Sequence, residues 1–260
     1  MERTYDLVVL GTGTAGGIVA HRCREAGWSV AIVESRTPGG TCALRGCDAK
    51  KPFVNTTEAL DWVTRMRGRG TAGDAVMEWD DLMSFKRSFT DPIPREERDR
   101  LAGAGIDLYE APPVFVGERT LEVGGGRVQA GRVVIATGMR PRPLSFPGAD
   151  LLVTSDEFLE LPALPESLLF VGAGYISMEF AHVAARAGCD VLVLEQAERP
   201  LLAFDAEVAE KLVEASHAAG IAFEFDACVD RIEREGDGVR VGCSRTGEWR
   251  HADMAVHGAG

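Results

Sequence analysis

At 260 residues the chain is long enough for one large domain or two ordinary ones, since domains usually run ~100–200 residues. Hydrophobic residues make up 45% and charged residues 26%, close to globular averages, which excludes the disordered and fibrous classes. Asp plus Glu number 40 against 28 Lys plus Arg, and the resulting net charge of −12 repels phosphate backbones and anionic lipid, arguing against nucleic-acid and membrane-surface binding.

The N-terminal segment MERTYDLVVLGTGTAGGIVA carries an apolar run behind Arg3, but Asp6 interrupts the pattern and the glycines have another use. No export signal is read, and no stretch reaches the ~18 apolar residues of a membrane helix. A cytoplasmic setting is expected, where the six cysteines are too few for a stapled secreted fold.

Leu7 to Leu10 is an apolar run without alternation, the mark of a buried parallel strand. It leads into Gly11-Thr12-Gly13-Thr14-Ala15-Gly16, a helical segment to Ala26, and a second strand, Val30 to Val33, that ends at Glu34. Gly11 permits the sharp turn and Gly13 lets amides approach a pyrophosphate at a helix N-terminus. Gly16 lets helix and strand pack closely, and Glu34 accepts hydrogen bonds from a ribose diol.

Next comes Gly39-Gly40-Thr41-Cys42-Ala43-Leu44-Arg45-Gly46-Cys47-Asp48-Ala49-Lys50-Lys51. Zinc sites usually take two close-spaced ligand pairs, and no second pair exists here. On a regular helix residues i and i+5 lie too far apart for a disulfide, so pairing of the two thiols requires a bend that Gly39, Gly40 and Gly46 can supply. A thiol near a helix start, with Arg45, Lys50 and Lys51 nearby, is expected to have a lowered pKa and to react as the thiolate. Cys23, Cys189, Cys228 and Cys243 are scattered and read as structural.

Asp61 to Arg67 and Trp79 to Phe89 are predicted amphipathic helices, and Arg95 to Ala102 a charged helical face. Val114 to Gln129 reads as short strands around Gly124-Gly125-Gly126, and Val133 to Gly138 as a further buried strand closing on glycine. The stretch with Pro141, Pro143 and Pro147 is a linker.

Beyond the linker the first unit recurs. Leu168 to Val171 leads into Gly172-Ala173-Gly174-Tyr175-Ile176-Ser177, a helix to about Ala187, and a strand from Val191 to Leu194 that ends at Glu195. The first glycine and the acid are 23 residues apart in both copies, 11 to 34 and 172 to 195. One glycine fingerprint is weak; two with matched acid spacing predict two dinucleotide sites. Ser177 departs from glycine at the third position. Glu195 would repel a 2′-phosphate, and the first arginine after it is Arg199, which favours NADH over NADPH. The last residues, His257 to Gly260, form an apolar strand running into glycines.

These motifs resemble the N-terminal part of the flavin-dependent pyridine-nucleotide disulfide oxidoreductases. The resemblance covers essentially the whole chain: both glycine fingerprints, the two-cysteine segment, Val133 to Gly138, and the helix from Tyr175 to Glu179. It implies an α/β fold of two Rossmann-like dinucleotide-binding domains in three layers with a small antiparallel meander. Residues 1–150 would be the FAD-binding domain, incomplete for want of a return segment, and 151–260 the NAD(P)-binding domain. FAD would lie on the first unit against Gly11, Gly13, Thr14, Ala15, Gly16, Glu34, Gly40, Thr41, Ala136, Thr137 and Gly138. NADH would lie on the second against Gly172, Gly174, Tyr175, Ile176, Glu179, Glu195 and Gly260. The resemblance further implies that Cys47 faces the flavin and Cys42 attacks the substrate, that Lys50 or Lys51 sits near flavin N5 and pairs with Glu179, and that Tyr175 covers the nicotinamide pocket.

Electrons would pass from nicotinamide through FAD to a Cys42–Cys47 redox disulfide, and on to a small-molecule disulfide or a metal ion. Ala49, where the family commonly has proline, and the Ala111-Pro112-Pro113 segment depart from its pattern. Family members continue into a dimer-forming domain carrying a His–Glu acid/base pair, and complete members are expected to be homodimers. The histidines here, His21, His182, His217, His251 and His257, match no such motif, so the chain alone is expected to be a poor disulfide reductase. A nucleotide-binding module without turnover and a quinone- or oxygen-reducing flavoprotein are the alternatives.

Overall fold

The computed structural model describes residues 2–260. In chain order the elements are β1 (Glu2–Leu10), α1 (Thr14–Glu25), β2 (Val30–Glu34), α2 (Gly40–Arg45), α3 (Cys47–Arg65), α4 (Trp79–Thr90), α5 (Ile93–Gly103), β3 (Asp107–Glu110), β4 (Pro113–Phe115), β5 (Thr120–Val123) and β6 (Gly126–Ile135). There follow α6 (Ser155–Phe158), β7 (Ser167–Val171), α7 (Tyr175–Arg186), β8 (Asp190–Leu194), α8 (Ala206–Ala218), β9 (Ile221–Glu224), β10 (Val229–Glu235), β11 (Gly238–Cys243), β12 (Glu248–Ala252) and β13 (Met254–His257). Contacts divide the chain into two units, one of residues up to Lys50 with Lys86–Arg140, the other of Lys51–Phe85 with Pro141–Gly260. Among the described residues no helix is long and apolar enough to cross a membrane.

In the first unit the sheet order is β3-β2-β1-β6-β5-β4, parallel from β3 to β6 and antiparallel beyond. Strand alternation sorts the apolar residues to two faces. Leu7, Val9, Val30 and Ile32 pack with Ala20 of α1 and Leu101 of α5. Val8, Leu10, Ala31 and Val33 pack instead with Leu121, Val123 and Val128 of the antiparallel strands. The result is three layers: helices, parallel sheet, meander.

The second unit repeats the plan with a four-stranded parallel sheet, β13-β7-β8-β9, and a separate antiparallel sheet, β10-β11-β12. Leu169, Val171, Leu194 and Ala255 face Ile232, Val239 and Val241 of that antiparallel sheet. The sequence pattern had not singled out this meander. An aromatic cluster fastens the helices: Phe158 stacks on Phe180 at 4.5 Å between ring centroids, Trp79 meets Phe158 edge-on, and the Trp79 indole N–H donates to Leu161 O at 2.9 Å.

Most expected elements are present, with two differences. The helix read over Asp61 to Arg67 is the end of α3, which runs from Cys47 because the Lys50 amide already donates to Gly46 O at 3.0 Å. Ala49, where the family commonly has proline, is fully buried inside this helix. The strand read as buried over Val133 to Gly138 is not: Val133 and Val134 are half-buried and Ile135 is 69% exposed. Strand β5 pairs only with residues 126–129 of β6, so the later half of β6 is bounded on one side by β1 and open on the other.

Candidate functional site

Both glycine turns form at the carboxyl end of a central parallel strand and have nearly the same backbone. Gly11 has φ +107° and Gly172 φ +97°, conformations that only glycine adopts without strain. Each donates its amide to the adjacent strand, to Val33 O and Leu194 O respectively, both at 2.7 Å. Gly13 and Gly174 then act as N-caps with φ/ψ of −65°/177° and −74°/172°.

Neither cap residue has a side chain to satisfy the orphan amides of α1 and α7, and neither helix has an acid in its first turn. Two other helices carry side-chain caps, Thr154 forming a capping box on α6 and Asp205 accepting from the Val208 amide at 3.2 Å on α8, whereas α2 and α5 begin at Gly39 and Pro92 without one. The bare N-termini of α1 and α7, with their positive dipole ends, are therefore fitted to an anion from outside the chain. Thr14 and Ala15 stand exposed in that first turn of α1, and Tyr175 (56% exposed) and half-buried Ile176 in that of α7, with Glu179 one turn further on.

The acids at the strand ends are held by the turns themselves. Glu34 Oε2 accepts from the Thr12 amide at 3.0 Å and the Thr12 hydroxyl at 2.7 Å, while Oε1 accepts from the Arg36 amide at 2.9 Å. Burial would raise the Glu34 pKa, but these bonds outweigh it and hold the carboxyl below its ordinary value. Glu195 repeats the arrangement, accepting from the Ala173 amide at 2.7 Å and the Ala197 amide at 2.9 Å. Thr12 does more, since its Oγ1 also accepts from the Gly39 amide at 3.0 Å and ties the turn to the start of α2. Motif reading passed over Thr12 because it was counted as a spacer; its only signal was a hydroxyl residue between two glycines.

Gly40, at φ +75°, sits where a Cβ would overlap Gly13 Cα, so the starts of α1 and α2 approach as only two glycines can. Thr41 is exposed there. Ala136 closes the other side: its amide donates to Leu10 O at 2.9 Å and its carbonyl lies against Gly11, with Thr137 and Gly138 following, both exposed. These neighbours fit the pyrophosphate and ribose of a dinucleotide.

The two cysteines come together. Helix α2 ends at Arg45, Gly46 breaks the direction at φ −143°, ψ −127°, and α3 restarts at Cys47. A Cβ on Gly46 would stand 3.0 Å from Thr41 O and 3.4 Å from Cys42 Cα, so glycine permits this close return. Both cysteines are free thiols, the Cys42 and Cys47 side chains lie within hydrogen-bonding reach, and Cys42 Sγ is 3.8 Å from Asp48 Oδ2.

The expected lowering of a thiol pKa fails at Cys42. Its pKa is raised, by burial first, then by the Cys47 thiol and the Asp48 carboxylate. The cationic neighbours in sequence do not govern it; burial does, with smaller contributions from Cys47 and from the Asp48 carboxylate, which the sequence reading overlooked. Half-buried Lys50 has a pKa lowered by burial, which its attraction to Cys47 opposes, whereas Lys51 is exposed.

In the second unit a cleft of about 500 Å³ opens at the carboxyl ends of β7 and β8, with Gly172, Glu195, Gly258 and Ala259 in its wall. Arg142 ties that wall to the end of the chain: its amide donates to Gly260 O at 2.8 Å and its guanidinium to Ala259 O at 2.7 Å. The departure at Ser177 is compensated. Ser177 is fully buried, and a Cβ on Gly258 would overlap its Oγ, so the bulk lost at one position is supplied at the other. Arg199 is engaged elsewhere, donating to the carbonyls of Pro200, Leu201, Leu202 and Phe204 at 3.1–3.3 Å.

Comparison with known proteins agrees with this geometry. Residues 5–260 match the family model described as pyridine nucleotide-disulphide oxidoreductase. The chain is 29% identical to dihydrolipoyl dehydrogenase 2 of Haloarcula marismortui over 91% of its length and 52% of the relative's. It is also 29% identical to glutathione reductase of a Nostoc species, covering 94% and 53%, and to mercuric reductase of Lysinibacillus sphaericus, covering 92% and 45%. Among solved structures it is similar to the HOCl-induced flavoprotein disulfide reductase RclA from Escherichia coli, with TM-score 0.86, 25% identity, and coverage of 98% of this chain and 56% of that one. The chain thus spans about half the length of the curated relatives it matches.

Proposed function

The chain belongs to the pyridine nucleotide-disulphide oxidoreductase family, and from that premise we propose that it carries the electron path of a flavin-dependent NADH:disulfide or metal-ion oxidoreductase. The observation that carries this reading is the pair of bare helix N-termini behind superposable glycine turns, one of them beside two touching thiols. Gly11, Gly13, Gly16, Glu34, Gly40, Thr41 and the Ala136 to Gly138 strand end would hold FAD. Gly172, Gly174, Ile176, Glu195 and Gly260 would hold the nicotinamide dinucleotide, with Tyr175 and Glu179 toward its nicotinamide end. Bound there, FAD would supply the two-electron carrier between hydride and sulfur chemistry.

The chain's own residues divide the sulfur chemistry. Cys47 is the thiol toward the flavin, and Lys50, which its charge attracts, is the cation that accompanies it. Cys42 is the exchange thiol. Beside Asp48 it keeps its proton in the reduced dithiol, so attack on a substrate requires a base to remove that proton before the thiolate can act.

NADH is preferred over NADPH. A carboxylate at Glu195 would repel a 2′-phosphate, and the Arg199 guanidinium that could offset it is engaged by four backbone carbonyls. The substrate is left at the class level, a small disulfide or a soft metal ion, since relatives of all three named activities match equally well.

The test is to purify the chain, add FAD and NADH, and count thiols at Cys42 and Cys47 by mass spectrometry. Retained flavin with NADH-dependent reduction of an oxidised Cys42–Cys47 pair is expected. A chain that takes up neither nucleotide would overturn the proposal, and flavin reduction without thiol formation would favour a quinone- or oxygen-reducing enzyme.

A further inference from the structure

The proline-rich stretch from Pro141 to Pro147 is more than a linker. Residues 142–146 form one wall of the cleft at the carboxyl ends of β7 and β8, which Gly172, Glu195, Gly258 and Ala259 also line. Among the described residues of that lining, Arg142 is the one cation and Glu195 the one acid. They are not a pair. Both Glu195 oxygens accept backbone amides, from Ala173 and Ala197, and the exposed Arg142 has no acidic partner among the described residues. Its guanidinium donates instead to Ala259 O at 2.7 Å, and Ala259 lies against the second glycine turn, its Cα 2.8 Å from where a Cβ on Gly172 would stand. A full positive charge is thus held beside the turn that leads into the uncapped N-terminus of α7, with the other donors of its fork uncommitted.

The backbone of Arg142 is clamped on both sides. Its amide donates to Gly260 O at 2.8 Å, and its carbonyl accepts from His257 Nε2, also at 2.8 Å. His257 Nδ1 accepts from the Ala259 amide at 3.2 Å, so the neutral imidazole carries its hydrogen on Nε2, where it is donated to Arg142 O. The side chain needs an acceptor and a donor at once, which no aliphatic residue offers. In the first unit Ala136 lies against Gly11 as Gly258 lies against Gly172, which makes Ile135 the counterpart of His257. Ile135 is 69% exposed, so the clamp belongs to the second unit.

We propose that Arg142 binds the pyrophosphate of the nicotinamide dinucleotide and that His257 is the positioning residue that holds it in place. The assignment rests on the coenzyme reading above and adds two residues to it. Its physical basis is charge. An anionic dinucleotide approaches a chain whose net charge is −12, and the α7 dipole supplies only about half a positive charge. A guanidinium beside the glycine turn adds a whole one, in a planar fork that matches phosphate oxygens. Glu195 takes the ribose diol in the same cleft, and Arg142 takes the phosphate that follows it along the ligand.

The experiment titrates the whole chain, supplied with equimolar FAD, with adenosine, 2′-AMP and ADP-ribose by calorimetry. Arg142→Gln, at an exposed position, is expected to weaken ADP-ribose about tenfold or more, to leave adenosine within about twofold, and to flatten the salt dependence of ADP-ribose binding. Equal losses for adenosine and ADP-ribose overturn the proposal by making Arg142 a part of the wall alone. A loss for 2′-AMP as large as that for ADP-ribose also overturns it, because the charge then acts generally or at the ribose. His257→Leu should weaken ADP-ribose about threefold or more, and His257→Gln, which keeps one acceptor and one donor, should restore it. No loss in the Leu variant, or a loss that Gln does not rescue, overturns the role of His257. A parent that binds ADP-ribose as tightly as Arg142→Gln overturns this proposal alone, whereas a parent that binds none of the three ligands overturns the coenzyme reading and this assignment with it.

Discussion

The two glycine turns are the same device solved with different side chains. In the first unit the third position is Gly16, where a Cβ would overlap Gly11 O, and the residue at the neighbouring strand end is Ala136, whose carbonyl lies against Gly11. In the second unit the third position is Ser177, and Gly258 gives up the space instead. The first turn is also cross-linked through the Thr12 hydroxyl to Glu34 and Gly39, whereas Ala173 offers only its amide to Glu195. At the third position what must be preserved is the sum of volumes with the neighbouring strand end, not glycine itself. The first unit adds what the second lacks, a helix start carrying two thiols.

Substitutions that exchange the solutions should break this equivalence, the largest effect first. Gly16→Ser puts the second unit's residue into the first without the compensating glycine. It should cost about 3 kcal/mol or more of stability, visible in urea unfolding, and flavin retention should be lost with it. A Gly16→Ser variant as stable as the parent would show that the two turns are not equivalently packed.

Gly258→Ala imposes the first unit's residue on the second and should cost about 1–3 kcal/mol. Ser177→Gly should restore part of that loss. Restoration stays incomplete because an added Cβ at residue 258 also lies 3.0 Å from Gly172 O. A double-mutant cycle should return a coupling of about 1 kcal/mol or more, and strict additivity would refute the compensation.

Thr12→Val makes the first turn resemble the second by removing the hydroxyl. It should cost about 1–2 kcal/mol at neutral pH. The sign with pH follows from Glu34, whose native pKa is depressed. Its contribution is present above the unfolded carboxyl value and is lost as pH falls through the native one. The variant's native value lies closer to the unfolded one, so it should lose less stability on acidification than the parent, measured by unfolding across acid pH.

The smallest effect concerns the thiols that set the first unit apart. Asp48→Asn removes a carboxylate that helps hold up the Cys42 pKa. Alkylation of Cys42 at neutral pH should rise a few-fold, up to about tenfold for a shift of one unit, with its pH profile moved to lower pH. An unchanged profile would mean burial and Cys47 alone set the value.

Much of the site was legible because its constraints are local. The matched spacing from glycine to acid, the positive φ at Gly11 and Gly172, and the bend at Gly46 are demands on a few consecutive residues. What was missed required through-space neighbours. Thr12 matters because Glu34 and Gly39 meet it, and Ser177 is tolerated because Gly258 lies against it. The exposure of Ile135 follows from where β5 stops pairing.

The amino-acid order alone determined two dinucleotide-type βαβ units, a returning cysteine segment and the family, since short-range backbone geometry and periodicity are written along the chain. Only the tertiary structure decided the sign of the Cys42 pKa shift, the engagement of Arg199 and the fit of Ser177 against Gly258. Electrostatic and packing energies depend on distances between residues that folding brings together, and sequence separation does not report those distances.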